Sequence, residues 1–259
     1  MSSLEVKSIS KAFGGVKAID GFSFTVGGHD IAGIIGPNGA GKTTVFNLVT
    51  GVYRLDGGQV FLDGGDLTGL PQHEITRAGV ARTFQNIRLF RGLNVLENVM
   101  TAADPYSAYA LFDICFFTPR KRRREKEVKD LSRNFLKLVG LEGYETEKPE
   151  SLPYGMQRKL ELARALATNP KVLLLDEPAA GLNPSEVRAF IDLARTLHCR
   201  FKFSIVIIEH RLEVVMELSS KIFVLNFGKL LASGTPAEIL CDRAVTEAYL
   251  GEEEAECSA

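Results

Sequence analysis

Two kinds of apolar pattern along the chain predict two kinds of β-strand. Continuous apolar runs at 31–35, 172–175 and 205–208 are typical of strands buried on both faces of a parallel sheet. Alternating runs at 4–9 and 22–26 predict half-buried strands instead, with one face on the core and the other in solvent. The order and length of these runs fit a globular protein with an extended sheet.

Turn residues and helical spacing predict the remaining elements. Further strands are expected at 59–63, 80–85, 221–225 and 229–233, the last two forming a hairpin around the turn at 226–228. Asn94 is a favourable N-cap for a helix at 95–100. Helices are also expected at 128–139, where apolar residues recur with the helical period, and at 160–167, which is rich in Ala, Leu, Glu and Arg.

One segment between an apolar run and an expected helix matches the phosphate-binding pattern G-x-x-x-x-G-K-[ST]. It consists of Gly36-Pro37-Asn38-Gly39-Ala40-Gly41-Lys42-Thr43-Thr44. The glycines let the loop curl so that backbone N–H groups approach phosphate oxygens, and the helix N-terminus adds partial positive charge. Lys42 would reach the β- and γ-phosphates, and the Thr43 hydroxyl suits Mg²⁺. This P-loop predicts binding of a nucleoside triphosphate.

Polar residues that suit phosphate chemistry follow two of the continuous apolar runs. Asp176 at the end of one run can hold Mg²⁺, and the next residue, Glu177, can act as a general base toward an attacking water. His210 follows another run, where it would reach the γ-phosphate. Gln85 ends the expected strand at 80–85 and by itself says little. Phe13 is equally consistent with a core residue and with an exposed ring that stacks on adenine.

Composition narrows the class of protein. The 259 residues carry a net charge of −1, 45% hydrophobic and 24% charged residues, which suits one large α/β domain or a domain with an attached subdomain. The charge balance argues against a dedicated nucleic-acid binder. The four cysteines have no metal-type spacing, which fits a reducing compartment. We expect neither a signal peptide nor a membrane-spanning helix.

Two neighbouring segments have more than one interpretation. The segment 105–119 is dense in aromatic residues, among them Tyr106, Tyr109, Phe112 and Phe116, which suits a subdomain core or a docking surface for a partner. The run 120–126 has six positive residues. Such a run is usually a solvated helix face, and it also suits anionic lipid head groups, with nucleic acid a weaker third interpretation.

In their order along the chain, the motifs resemble those of the ATP-binding subunits of ABC transporters, and the resemblance covers almost the whole chain. The resemblance implies that Phe13 stacks on adenine, that Gln85 is the Q-loop glutamine, and that His210 is the switch histidine. Asp176 and Glu177 correspond to Walker B and the catalytic glutamate. The signature motif is assigned to 152–157, where Tyr154, Gly155, Met156 and Gln157 would contact ATP held by a second ATPase subunit.

The same resemblance implies the fold. The expected fold is an α/β P-loop NTPase fold with a parallel-sheet core, an N-terminal antiparallel β subdomain and an α-helical subdomain. One ABC ATPase domain would span 1–259, with the core and β subdomain at 1–90 and 168–259 and the helical subdomain at 91–167. Asp176, Thr43 and Gln85 would hold Mg²⁺, and Glu177, His210, Gln85 and Lys42 would carry catalysis.

Narrower features at 83–90, 177–184 and 248–251 resemble the ATPases of branched-chain amino-acid importers, in particular the LivG type. This resemblance implies two membrane permease subunits, a second ATPase in an ATP-sandwiched heterodimer, an external substrate-binding protein, and a peripheral position at the cytoplasmic membrane face. Two positions depart from the pattern. Pro153 replaces the signature serine and offers no side-chain donor, and Asn183 replaces a D-loop aspartate.

Three alternatives differ in function. An ATPase of urea transport or lipopolysaccharide export fits most motifs, although the Tyr154-Gly155 form of the signature speaks against it. ABC-type ATPases that act on nucleic acid carry long coiled-coil or zinc-bearing insertions, and this chain has neither heptads nor paired cysteines. A P-loop GTPase would need an Asn-Lys-x-Asp motif, which the sequence lacks.

Overall fold

The computed structural model describes residues 3–103 and 119–256. Its strands are β1 (Ser3–Phe13), β2 (Val16–Gly27), β3 (Ile31–Ile35), β4 (Gly57–Leu62), β5 (Gly65–Asp66), β6 (Val80–Arg82), β7 (Val172–Asp176), β8 (Ser204–Ile208), β9 (Lys221–Asn226) and β10 (Lys229–Gly234). Its helices are α1 (Lys42–Val49), α2 (Gln72–Ala78), α3 (Val95–Ala103), α4 (Pro119–Leu138), α5 (Tyr154–Ala167), α6 (Pro184–Phe201), α7 (Leu212–Leu218), α8 (Pro236–Leu240) and α9 (Arg243–Glu256). A short 3₁₀ turn lies at Pro149–Ser151.

The chain divides into two compact units. The first comprises residues 1–85 and 171–259, and the second comprises residues 86–170. The aromatic segment proposed above as a core or a docking surface lies almost entirely outside the described residues, at 104–118.

A six-stranded sheet forms the centre of the first unit, in the order β10-β9-β3-β8-β7-β6. Five of its strands are parallel, and β10 pairs antiparallel with β9 as the predicted terminal hairpin. Strands β3, β7 and β8 are buried along their whole length, which confirms the prediction from the continuous apolar runs. Because the strands are parallel, their carboxyl ends lie at one edge of the sheet, where α/β proteins bind ligands.

The first unit also contains an antiparallel sheet in the order β2-β1-β4-β5. Its inward side chains share one hydrophobic cluster with the parallel sheet, as Phe24 of β2 and Phe223 of β9 show with ring centroids 5.6 Å apart. Leu4 and Phe22 are fully buried in the same cluster. The predicted half-buried strands and the antiparallel β subdomain are therefore both present.

The second unit is helical in its described part. Helices α3, α4 and α5 contact one another pairwise. Asn94 begins α3 as predicted, because its Oδ1 accepts the N–H of Glu97 at 2.8 Å while the Glu97 carboxylate accepts the N–H of Asn94. Asn98, which is fully buried, accepts the N–H of Phe90 and donates to its carbonyl. These bonds attach the segment before α3 to the helix.

One predicted strand is shorter than expected. Strand β6 ends at Arg82 rather than at Gln85, because the last bond that follows its ladder to β7 is donated by Thr83 to the Leu174 carbonyl at 2.9 Å. Gln85 therefore lies in a loop beyond the strand, at the same edge of the sheet as Asp176.

Candidate functional site

The P-loop connects the carboxyl end of β3 to α1, and two of its glycines leave no room for a Cβ. A Cβ on Gly36 would lie 2.0 Å from the Leu225 carbonyl oxygen, and one on Gly41 would lie 2.7 Å from the Ala18 carbonyl oxygen. Their φ values of +154° and +104° are also open to glycine far more than to other residues. The N–H of Gly228 in the β9–β10 turn donates to Ala40 at 2.9 Å, which braces the loop.

Lys42 lies inside the P-loop and is 6% exposed. Its Nζ donates to the Gly36 carbonyl at 2.6 Å and to the Pro37 carbonyl at 2.8 Å. A buried ammonium requires such acceptors. The ammonium is therefore held over the loop, where a phosphate oxygen would offer a stronger, charged acceptor. The neighbouring Thr43 is exposed at the first turn of α1.

Asp176 ends β7 and forms a buried ion pair that the sequence motifs did not indicate. Arg82 Nη2 lies 2.7 Å from Asp176 Oδ2, with side chains 6% and 2% exposed. Arg82 also donates to Asn47 Oδ1 of α1 at 2.7 Å, and its guanidinium lies over the ring of Phe46 at 5.5 Å. The arginine thus connects the P-loop helix to the end of β7. The sequence signal that could have indicated this pair was a cation in a segment expected to form a strand, because a buried charge needs a partner.

Glu177 lies between two other predicted site residues. Gln85 Nε2 donates to Glu177 Oε2 at 2.8 Å, and His210 Nε2 lies 3.1 Å from Glu177 Oε1. Glu177 is 8% exposed, whereas the His210 side chain is 45% exposed. A carboxylate placed between an amide and an imidazole at a nucleotide site is a group that can accept a proton from a water. The structure thus brings together residues that lie 92 and 33 positions apart.

Glu209, beside His210, is a third buried carboxyl at this edge, after Asp176 and Glu177, and is 3% exposed. Burial raises its pKa above the ordinary glutamate value, and the nearby charge of Glu177 acts in the same direction. Backbone N–H bonds from Ala179, Arg211 and His210 oppose this rise by stabilising the ionised form. The sequence analysis assigned no role to Glu209, although a carboxylate directly after a buried strand was the signal that could have indicated one.

Phe13 is exposed at the end of β1, so the core interpretation of this ring is wrong. It is 42% exposed, and its ring packs edge-to-face against Tyr53 with centroids 5.1 Å apart. Lys11 Nζ lies 5.6 Å from the ring centre. The ring therefore has a free surface on which a base could stack.

The signature residues lie in the second unit, at the start of α5. Pro153 is the N-cap, and its carbonyl accepts the N–H groups of Met156 and Gln157. Gln157 Nε2 donates to the Leu152 carbonyl at 2.9 Å. Gly155 lies in the first turn between these residues, and Tyr154 is 44% exposed.

Tyr154 is itself held by a buried cation. Its hydroxyl accepts a hydrogen bond from Arg158 at 2.9 Å, and Arg158 also pairs with Glu161 at 3.4 Å inside α5. The exposed ring at the helix start is therefore fixed by two neighbouring turns of the same helix.

None of the helices in the described ranges is long and apolar enough to cross a bilayer.

Comparison with known proteins is consistent with this arrangement. Residues 19–180 match the ABC transporter family model, and residues 229–255 match the model of the branched-chain amino acid ATP-binding cassette transporter. The high-affinity branched-chain amino acid transport ATP-binding protein BraF of Pseudomonas aeruginosa is 43% identical over 96% of this chain and 98% of its own length. LivG of Escherichia coli, with the same description, is 42% identical with the same coverage.

Solved structures show the same fold. The crystal structure of the ADP conformation of MJ1267, an ATP-binding cassette of an ABC transporter, superposes with a TM-score of 0.83 and is 31% identical. The match covers 97% of this chain and 99% of that one. The site agrees with these matches, because it has a P-loop, an acidic residue at the end of β7 and a glutamate between Gln85 and His210. The chain therefore belongs to the ABC transporter family as a nucleotide-binding ATPase subunit, in the group of ATP-binding proteins that includes LivG and BraF.

Proposed function

We propose that this chain powers the import of branched-chain amino acids by hydrolysing Mg-ATP. The observation that carries the proposal is Glu177, held between Gln85 and His210 at the sheet edge that also bears the P-loop. The transport class rests on the likeness to LivG and BraF across nearly the whole chain.

Nucleotide binding is assigned to Phe13 and to the P-loop. The ring of Phe13 would stack on adenine, and the backbone of the loop would surround the phosphates. Lys42 would exchange its two carbonyl acceptors for phosphate oxygens. The residues assigned to the nucleotide are Phe13 and Gly36, Pro37, Asn38, Gly39, Ala40, Gly41, Lys42, Thr43 and Thr44.

The residues present fit a magnesium ion. Thr43, Gln85 and Asp176 offer hydroxyl, amide and carboxylate oxygens, the hard ligands that Mg²⁺ prefers. The described residues contain no group of three or more His, Cys, Asp or Glu that could hold a metal by itself. Mg²⁺ in nucleotide sites is usually bound by one or two carboxylates together with substrate phosphates. When bound, Mg²⁺ would neutralise charge on the β- and γ-phosphates.

Hydrolysis is assigned to Glu177 as general base. Its carboxylate would accept a proton from the attacking water, a role typically worth about 10²–10⁴-fold in rate. His210 would contact the γ-phosphate, and Lys42 would stabilise the charge on it. Gln85 would respond to nucleotide through its bond to Glu177, because that bond must change when a phosphate and a water enter.

The partners are proposed from the resemblance together with the signature. Tyr154, Gly155, Met156 and Gln157 would complete the ATP site of a second ATPase subunit, so that two ATP molecules lie between the two subunits. Closing and reopening of the two ATPase subunits would move two membrane permease subunits. An external substrate-binding protein would deliver the amino acid. No nucleic acid takes part in this scheme.

A peripheral position at the cytoplasmic face of the membrane is supported by a row of cations on α4. Five exposed residues at helical spacing form this basic stripe: Arg122, Lys126, Lys129, Arg133 and Lys137. The opposite face carries the buried residues Val128 and Phe135. Helix α4 holds nine basic and three acidic residues, a net +6, whereas the whole chain has a net charge of −1. Such a concentration suits an anionic lipid surface.

Uptake in living cells tests the proposed function. In a strain that lacks this gene, uptake of radiolabelled leucine, isoleucine and valine should fall, and the wild-type gene should restore it. Glu177→Gln should fail to restore uptake. Arg195→Gln, which changes an exposed arginine of α6, should restore it. Normal leucine uptake in the strain without the gene, with lost urea uptake instead, would support the alternative transport class.

A further inference from the structure

The turn that follows β7 is bonded to the end of β8 at several points. Glu177, its first residue, has a φ of +46°, a left-handed conformation that a residue with a Cβ rarely adopts. Its N–H donates to the Ile208 carbonyl at 2.9 Å, and its carboxylate contacts His210. Because such strain persists only where the surroundings hold it, the end of β8 helps to keep Glu177 in place.

The two residues that flank His210 bond to the same turn. Glu209 accepts the backbone N–H of Ala179 at 2.5 Å. Arg211 Nη2 donates to the Leu182 carbonyl at 2.9 Å. The first bond is made near the start of the turn and the second at its end. The residues on both sides of His210 are therefore hydrogen-bonded to the turn.

The end of the turn leads directly into α6, whose start is fixed independently. Asn183 is the N-cap, and its Oδ1 accepts the Glu186 N–H at 3.0 Å while the Glu186 carboxylate accepts the Asn183 N–H at 2.9 Å. This capping box holds the first turn of α6. Arg211 thus connects the His210 segment to a turn that cannot move freely at its far end.

We propose that Glu209 and Arg211 are positioning residues for ATP hydrolysis, which hold His210 and Glu177 in their relative positions through the rest of the turn, residues 178–182. The inference rests on the proposed roles of Glu177 and His210. The two positioning residues act through that pair, and the P-loop provides ATP binding separately. Loss of either attachment should therefore slow the chemical step while leaving the affinity for ATP unchanged.

Arg211→Gln tests the attachment at the end of the turn, because the shorter side chain cannot reach the Leu182 carbonyl. The full-length chain is purified together with its membrane subunits, and kcat and the Kd for ATP are measured separately. We expect kcat to fall by about tenfold or more with Kd unchanged, since small misplacements of catalytic groups carry large rate penalties. Arg211→Lys keeps a donor of similar reach and should recover part of the rate.

The matched control is Arg195→Gln. Arg195 also donates to a backbone carbonyl in the same unit, that of Glu217 at 2.6 Å, and its ion pair at 3.2 Å is with the same residue. It should leave both kcat and Kd at wild-type values. At the other attachment, Glu209→Gln keeps an acceptor oxygen and should lose less activity than Glu209→Ala.

Three results would overturn the inference. The first is a kcat for Arg211→Gln that equals that of Arg195→Gln. The second is a parallel loss of kcat, ATP affinity and melting temperature without recovery by Arg211→Lys, which would indicate a structural role only. The third is undiminished hydrolysis by Glu177→Gln, which would overturn the role of Glu177 as well. The first result, found together with an inactive Glu177→Gln, would overturn the positioning role alone.

Discussion

At the scale of single residues, the site contains buried charges that each have a partner of fitting polarity. Lys42 donates to two carbonyls of its own loop, and Arg82 pairs with Asp176. A buried charge without a partner would cost several kcal/mol, so these contacts help to stabilise the arrangement of the site. In the proposed function, Lys42 exchanges its carbonyl acceptors for phosphate oxygens when the nucleotide binds.

Lys42→Ala should abolish the stabilisation that ATP gives to the protein. A ligand at about 100 times its Kd stabilises the folded state by ~2.7 kcal/mol. For a chain of this size that corresponds to a rise in Tm of roughly 5–10 °C. Thermal unfolding with and without Mg-ATP measures the shift, and Lys17→Ala, which changes an exposed lysine of β2, serves as the control. A full shift in Lys42→Ala would contradict the role assigned to this lysine.

Asp63 predicts a pH-dependent contribution to stability. The hydrogen bond from Lys171 holds the pKa of the Asp63 carboxyl below its ordinary value, with a further bond from the Ser3 N–H. Because the folded-state pKa is lowered, the contribution is present above about pH 4 and is lost as the pH falls through the folded-state value. Asp63→Asn should therefore lower Tm at pH 7, with a difference that shrinks below pH 4.

The substitution isolates the charge. Asp63 has a φ of +53°, and asparagine tolerates this left-handed conformation as well as aspartate does. Glu142→Gln, which neutralises an exposed carboxylate in the other unit, is the control and should show no such pH-dependent difference. A constant Tm difference between Asp63→Asn and wild type from pH 7 to pH 3 would contradict the assignment.

At the scale of elements, α4 combines a buried face with a long basic one. In the basic stripe, Arg133 lies near acidic side chains, 3.8 Å from Asp130 and 3.7 Å from Glu145. Arg122, Lys126 and Lys129 have no carboxylate within ion-pair distance among the described residues. Ion pairs at an exposed surface contribute little to stability. These three cations are therefore available to bind an external anion.

The basic stripe should bind vesicles that contain anionic phospholipid and not vesicles of neutral lipid alone. Each cation near such a surface contributes about 1 kcal/mol, so Lys126→Gln with Lys129→Gln should weaken binding by roughly 30-fold. Co-sedimentation measures the affinity, and added salt should weaken it by screening. Lys7→Gln with Lys229→Gln, two exposed lysines of the other unit, is the control. Equal binding to neutral vesicles would remove the stripe from its proposed role.

At the scale of the whole molecule, the functional residues are divided between the two units. The P-loop, Asp176, Glu177 and His210 belong to the first unit, and the signature at 154–157 belongs to the second. In the proposed function the signature serves the nucleotide of a partner subunit. The P-loop of a single subunit then lacks the signature that would complete its ATP site. Closure of the site around ATP therefore requires a second ATPase subunit.

Glu177→Gln should separate ATP binding from hydrolysis and trap this closed state. The amide preserves size and keeps one acceptor oxygen but removes the general base. Lys42, Thr43 and Asp176 are unchanged, so ATP should still bind and hold two subunits together. Sedimentation with and without Mg-ATP should show an ATP-dependent dimer with the second ATPase or, more weakly, with itself.

Wild-type protein is the reference for that experiment and should remain mostly monomeric, since hydrolysis reopens the interface. Undiminished hydrolysis in Glu177→Gln would exclude this residue as the base and direct attention to His210. A dimer that forms equally well without nucleotide would show that the interface does not depend on ATP.

The sequence by itself determined the features that depend on neighbouring residues. The P-loop was predictable because its glycines, Lys42 and Thr43 act within one turn, and β3, β7 and β8 were predictable because a strand buried on both faces must be apolar throughout. The N-cap at Asn94 followed from one side chain and the helix after it. The family resemblance likewise depended on motif order along the chain.

Only the tertiary structure decided which distant residues meet. Gln85, Glu177 and His210 come together because β6, β7 and β8 are neighbours in the sheet, and strand order is not written in any local pattern. The same order pairs Arg82 with Asp176 and ends β6 before Gln85. A charged residue in a buried strand indicates that a partner must be present. The identity of that partner depends on packing between segments far apart in the chain.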